Sequence, residues 1–174
     1  GHSYGGVIAL LMAARRPELV CSLAVSEPPA FGLARGNPEV DRLVERLDEH
    51  FTRGPRDPRA FGAGFLEIVG SSAQVPDKLP PEQEQAIRAT MAERPPWEAQ
   101  IPLDELAATA FPKLVISGAH HPAFDAVCDV LEQRLGAERA VLPGAGHSIP
   151  RAPGYLGRLE KFLDDSARTE QSVR

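Results

Sequence analysis

Apolar and polar positions divide the chain into four stretches. Residues 5–16 run GGVIALLMAARR, apolar on every side of a helical wheel, with no breaker before Pro17. Leu, Met, Ala and Arg favour helix, so a helix buried all round is expected here. Residues 19–26, LVCSLAVS, are a continuous apolar run closed by Pro28-Pro29. That pattern predicts a strand buried on both faces, as in a parallel sheet. Residues 31–108 change character. Pro38, Pro55, Pro58, Pro76, Pro80, Pro81, Pro95, Pro96 and Pro102 break the stretch into short helical patterns near 38–51, 58–69 and 80–93, with Val40, Leu43, Val44 and Leu47 spacing the first. No strand signal falls there, and a helical insertion is predicted. Residues 113–117, KLVIS, predict a second buried strand ending at Gly118. A helix from Pro122 to Leu135 follows, with Gly136 as its stop signal. Residues 138–142 predict a third short strand. A helix over 153–165 has Tyr155, Leu156, Leu159, Phe162 and Leu163 on one face, and the polar residues 166–174 are expected to fray. Strands alternating with helices make an α/β fold with a parallel sheet.

Composition narrows the classes. The 174 residues are 43% hydrophobic and 25% charged, ordinary globular values. Net charge is −5, so the basic footprint of a nucleic-acid binder is missing. No apolar run approaches a membrane span of ~20 residues. Cys21 and Cys128 are too few for a disulfide framework or a Cys-rich zinc site, which suits a reducing compartment and a cytoplasmic protein. The chain opens at Gly1 without Met or a targeting segment, and Gly1 already lies inside a motif. We therefore expect the C-terminal part of a longer protein.

That motif is Gly1-His2-Ser3-Tyr4-Gly5, a G-x-S-x-G nucleophile elbow. Its serine sits on a sharp strand-to-helix turn. The flanking glycines remove Cβ atoms that would clash where strand and helix pass closely. The helix N-terminus aims free N–H groups at the site, and the backbone N–H of Tyr4 is a candidate oxyanion donor. By chance the motif arises at roughly 0.0003 per position, and here it also opens an apolar helix. His147, in Pro143-Gly144-Ala145-Gly146-His147, follows the last strand on a Gly-rich loop, where a general base can reach Ser3. The carboxylate that orients the base should fall between them in the chain. Two candidates compete: Glu27, directly at the end of the first strand, and Asp125, beyond the second.

In this order of elbow, apolar strand with Glu-Pro-Pro, helical insertion, strand-Gly and Pro-Gly-Ala-Gly-His, residues 1–165 resemble the α/β-hydrolase superfamily, most of all its cap-bearing bacterial members. The resemblance implies Ser3 as nucleophile and His147 as base. It implies a hydrolase core over 1–30 and 109–165, a helical cap over 31–108 that roofs the pocket, and a polar tail over 166–174. The family acid usually lies about three residues beyond a Gly like Gly118. That position is His121 here, which cannot serve. Some members, such as certain haloalkane dehalogenases, place the acid one strand earlier, where Glu27 stands; their nucleophile is an aspartate, so Ser3 argues against that chemistry. A complete member carries some five further strands before the elbow helix and a second oxyanion donor, often on a His-Gly loop. None of that is in this chain, so an exposed sheet edge is expected.

The expected function is acyl transfer on a carboxylic ester or related small-molecule carbonyl substrate, with no metal or organic cofactor. The rival is an inactive hydrolase-fold fragment or binding module. His120-His121 reads as an exposed loop rather than a metal site. Phe61, Phe65, Met91 and Trp97 read as packing between insertion and core, with a pocket lining as the alternative. Both cysteines read as small core residues.

Overall fold

The computed structural model describes residues 1–173, with side chains through residue 168. Three parallel strands, β1 (Leu23–Ser26), β2 (Lys113–Ser117) and β3 (Glu138–Val141), lie in the order β1-β2-β3. Val25 pairs with Val115, and Ile116 with Ala140. Helix α1 (Tyr4–Arg15) precedes β1, α6 (Pro122–Leu135) joins β2 to β3, and α7 (Tyr155–Val173) closes the chain. Between β1 and β2 lie α2 (Pro38–Arg53), α3 (Pro58–Ile68), α4 (Pro81–Ala92) and the short α5 (Leu103–Ala107).

Alternation along β2 divides the core between the two faces of the sheet. Val115 joins Val25, Leu10 of α1 and Phe124, Val127 and Leu131 of α6. Leu114 and Ile116 turn the other way, to Ala140, Ile149 and Phe162 of α7. Four of the five β2 residues are buried, as a central parallel strand requires. The stripe Val40, Leu43, Val44 and Leu47 is buried as its spacing predicts. Asn37 and Asp57 cap α2 and α3 by accepting from Glu39 N and Ala60 N, both at 2.9 Å.

Several expectations need correction. The strand expected over 19–26 begins only at Leu23, because Pro17–Leu19 forms a 3₁₀ turn that hydrogen bonding alone distinguishes from strand. Helix α1 is not buried all round: Ile8, Leu11 and Met12 are 49%, 37% and 54% exposed. Residues 166–173, expected as a polar tail, continue α7, and Arg174 lies outside the described residues. Cys128 is buried, but Cys21 is exposed rather than in the core. No described helix is long and apolar enough to cross a membrane.

Residues 1–3 run beside β1. Gly1 O accepts from Ser26 N, and Ser3 N donates to Ser26 O, both at 2.9 Å. The C-terminal ends of the strands, the start of α1 and the loops after β2 and β3 thus meet at one edge of the sheet, where ligands bind in open α/β folds.

Candidate active site

Ser3 occupies the turn into α1 at φ 52° and ψ −128°. A non-glycine residue there is strained, typically by ~1–3 kcal/mol, and the surroundings must impose it. They do. A Cβ on Gly1 would sit 2.2 Å from Gly5 O, and one on Gly6 would meet the Pro28 Cβ at 3.1 Å. Gly5 itself has open space around it, so the close approach that the motif implies is carried by Gly1 and Gly6. Tyr4 is the first residue of α1, and its N–H has no acceptor within the helix.

Three side chains then form a line. Ser3 Oγ lies 2.9 Å from His147 Nε2, and His147 Nδ1 lies 2.8 Å from Glu27 Oε2. Since the carboxylate only accepts, Nδ1 carries the proton and Nε2 is free to accept from the serine. Phe124 stacks on the His147 ring at 4.4 Å, and His2 Nε2 donates to the His147 carbonyl at 2.7 Å. Glu27 is fully buried, at φ 42°. Burial alone would raise its carboxyl pKa. His120, His147 and the Gly118 N–H, which donates to Oε1 at 2.7 Å, outweigh it and hold the value at about 2.

The structure therefore brings Glu27, and not Asp125, to His147. Asp125 lies in the first turn of α6 and faces Arg139 at 3.4 Å, while Arg139 also donates to Ser117 Oγ at 2.8 Å. The His120-His121 segment is not an exposed loop. His121 caps α6 by accepting from Ala123 N at 3.1 Å. His120 packs beside Glu27, with Nδ1 3.1 Å from its Oε1, and its Nε2–H donates to Val69 O at 3.0 Å. Glu27, His120 and His147 bring ligand-type atoms within 4.8 Å of one another, a third partner that sequence spacing hides. Both Glu27 oxygens already accept hydrogen bonds. A signal for His120 was present in the sequence: it lies in the loop where the family resemblance calls for an acid.

The loop that carries His147 is fastened to the turn after α3. His147 N donates to Gly70 O at 3.1 Å, Ser72 Oγ donates to Ala145 O at 2.8 Å, and the Ser71 and Ser148 hydroxyls meet at 2.8 Å. These serines were not singled out from sequence. Beside Ser3 and His147 lies a cavity of about 130 Å³, walled by Phe31, Leu47, Phe51, Phe65, Trp97 and Phe124. Of the four insertion residues named above, Phe65 and Trp97 line it. Phe61 packs on Phe51 at 5.2 Å, and Met91 is half-buried away from the lining.

Comparison with known proteins agrees with this architecture. The chain is 30% identical over 172 residues to lipase LipV of Mycobacterium tuberculosis, covering 87% of this chain and 62% of that one. An alpha/beta hydrolase of Sphaerobacter thermophilus superposes with TM-score 0.53 at 25% identity, over 94% of this chain and 65% of that one. A carboxylesterase structure from Nitrososphaera gargenis superposes with TM-score 0.61 at 18% identity, over 97% and 65%. A haloalkane dehalogenase variant from Bradyrhizobium elkanii gives 0.55 at 21% identity, over 99% and 68%. The chain thus spans a little under two thirds of the length of LipV and of the first two structures. Residues 1–156 match the model of the alpha/beta hydrolase family, and with the fold in agreement, the chain belongs to that family.

Proposed function

We propose that the chain carries the nucleophile, base and acid of a serine hydrolase acting on carboxylic esters with a small apolar acyl group. The observation that carries this reading is the continuous line from Ser3 Oγ through His147 to Glu27, 2.9 Å and 2.8 Å, at a strained serine. Ser3 Oγ attacks the ester carbonyl carbon as its proton passes to His147 Nε2. The Tyr4 N–H faces the oxygen that becomes negative. Collapse of the tetrahedral intermediate expels the alcohol, which takes the proton from His147. Water then repeats the sequence on the acyl-enzyme, releasing acid and free Ser3. Glu27 holds the Nδ1 tautomer and stabilises the imidazolium.

The aromatic walls argue for an apolar acyl group. A cavity of about 130 Å³ compares with the ~150 Å³ that accommodates benzene. LipV is named a lipase and the Nitrososphaera gargenis relative a carboxylesterase, which supports the ester class. The test is hydrolysis of p-nitrophenyl esters from acetate to palmitate by the intact protein, with and without Ser3→Ala. We expect turnover highest for short and medium chains, and loss of turnover in Ser3→Ala. Turnover unchanged by that substitution overturns the mechanism. Failure of a fluorophosphonate to label Ser3 in the folded protein would favour a binding role instead.

A further inference from the structure

We propose that His120 is a positioning residue of this site: doubly protonated between the Val69 carbonyl and the Glu27 carboxylate, it fixes the acid against His147 and ties it to the turn after α3. The inference rests on the serine-hydrolase reading and adds to it a fourth side chain.

The argument is one of donors and acceptors. A backbone carbonyl only accepts, so His120 Nε2, 3.0 Å from Val69 O, carries a hydrogen. The other nitrogen, Nδ1, is 3.1 Å from Glu27 Oε1, buried, and without a hydrogen-bond partner in good alignment. A neutral ring would set a lone pair against a carboxylate oxygen there, in a site where the carboxylate has no exposure to water. A proton on Nδ1 turns that repulsion into an ion pair, attractive even along a bent approach. The groups facing the ring agree. Glu27 comes from the end of β1, Asp125 from α6 and the Val69 carbonyl from the turn after α3, and all favour the cation. His147, with its ring 6.1 Å away, and His121, at 6.2 Å, are the cationic-capable neighbours. Burial pushes the His120 imidazolium down, but Glu27 outweighs it and leaves the ring above its ordinary value.

The packing makes this a built contact. His120 lies against Phe124 at 5.6 Å, the same ring that stacks on His147. A Cβ on Gly70 would meet His120 Cδ2 at 2.9 Å, so the turn closes over the imidazole. The consequence is a buried acid shared by two imidazoles, with His120 carrying the charge at rest. Removing the His120 proton should loosen Glu27, so kcat should fall as pH rises through the raised His120 value.

The experiment reads the charge state first and catalysis second. Side-chain ¹⁵N correlation spectra of the intact protein, taken without substrate from pH 5 to 10, should show both His120 nitrogens protonated at pH 7. Glu27→Gln should lower the pH at which the second proton leaves. In ester hydrolysis, His120→Phe keeps the ring packing and should lower kcat by roughly tenfold, the lower range for outer partners of a histidine site, with KM little changed and the alkaline limb gone. His120→Gln restores a donor that does not titrate, and should recover part of kcat with a flat alkaline side. A singly protonated His120 at pH 7 overturns the inference, as does a His120→Phe enzyme with wild-type kcat and pH profile. Absent Ser3 labelling and absent hydrolysis in the wild type would instead overturn the hydrolase reading, and the spectra report independently of both.

Discussion

Glu27 meets two imidazoles and one backbone amide from a backbone at φ 42°, a conformation that L side chains seldom adopt. Its value as the acid of the proposed triad follows from that crowding. Glu27→Gln keeps the shape but leaves His147 free to take the wrong tautomer, and by analogy with a protease triad kcat should drop on the order of 10⁴-fold. Asp125→Asn removes only one of the Arg139 contacts and should leave kcat within about threefold, because Arg139 retains Ser117 and Asp129. Steady-state kinetics on both variants at matched folding checks the assignment, and a larger loss in Asp125→Asn would reverse it. The competition between the two carboxylates was visible in the sequence, and the end of β1 favoured Glu27. What stayed hidden was the contact of His120 with Glu27. Spacing along the chain places it 93 positions from Glu27, and only the parallel pairing of β1 with β2 sets the two strand ends side by side. Cys128, buried at 0% exposure, has its thiol pushed up to about 12 chiefly by burial, which fits an inert core residue.

At the scale of elements, the punctuated segments were the legible ones. β2 and α6 occupy the bounds that Gly118, Pro122 and Gly136 suggest. β1 and α1 were misjudged where apolar residues continue past the hydrogen-bonded element or onto its open face, since hydropathy reports neither. Glycines in the loops divide in the same physical way. Gly136 closes α6 at φ +60° with no atom within 4 Å of an added Cβ, whereas Gly146 has φ +55° and an added Cβ would sit 2.2 Å from Gly70 O. Gly136→Ala should therefore cost only the left-handed strain, ~1–2 kcal/mol, with kcat intact. Gly146→Ala adds the clash to the same strain and should lose both stability and kcat, because it pushes the His147 loop from the turn after α3. Equal effects of the two substitutions, in thermal melts and turnover, would show that this junction does not position His147.

For the whole molecule, the buried ionisable pair sets the pH range of stability. Glu27 has a folded value of about 2 against 4.5 ordinarily. Its contribution is present above 4.5 and is lost as pH falls toward 2, about 3 kcal/mol in all. His120 works in the opposite direction: its raised value adds stability that is present below its ordinary 6.5 and lost as pH rises through the folded value. Urea midpoints should therefore peak between about pH 5 and 6.5, with the acid decline removed in Glu27→Gln. The fastening of the His147 loop to residues 70–72 has a different outcome for the molecule under stress. Helix α4, which follows that turn, buries none of its residues, so this part of the chain should open at lower cost than the sheet. Through the Gly70, Ser71 and Ser72 contacts, such an opening withdraws His147, the proposed base, while the three strands stand. Catalysis should then fail first: in a urea titration, activity should vanish before the far-ultraviolet circular dichroism signal falls, and coincident curves would show the two regions to melt as one unit.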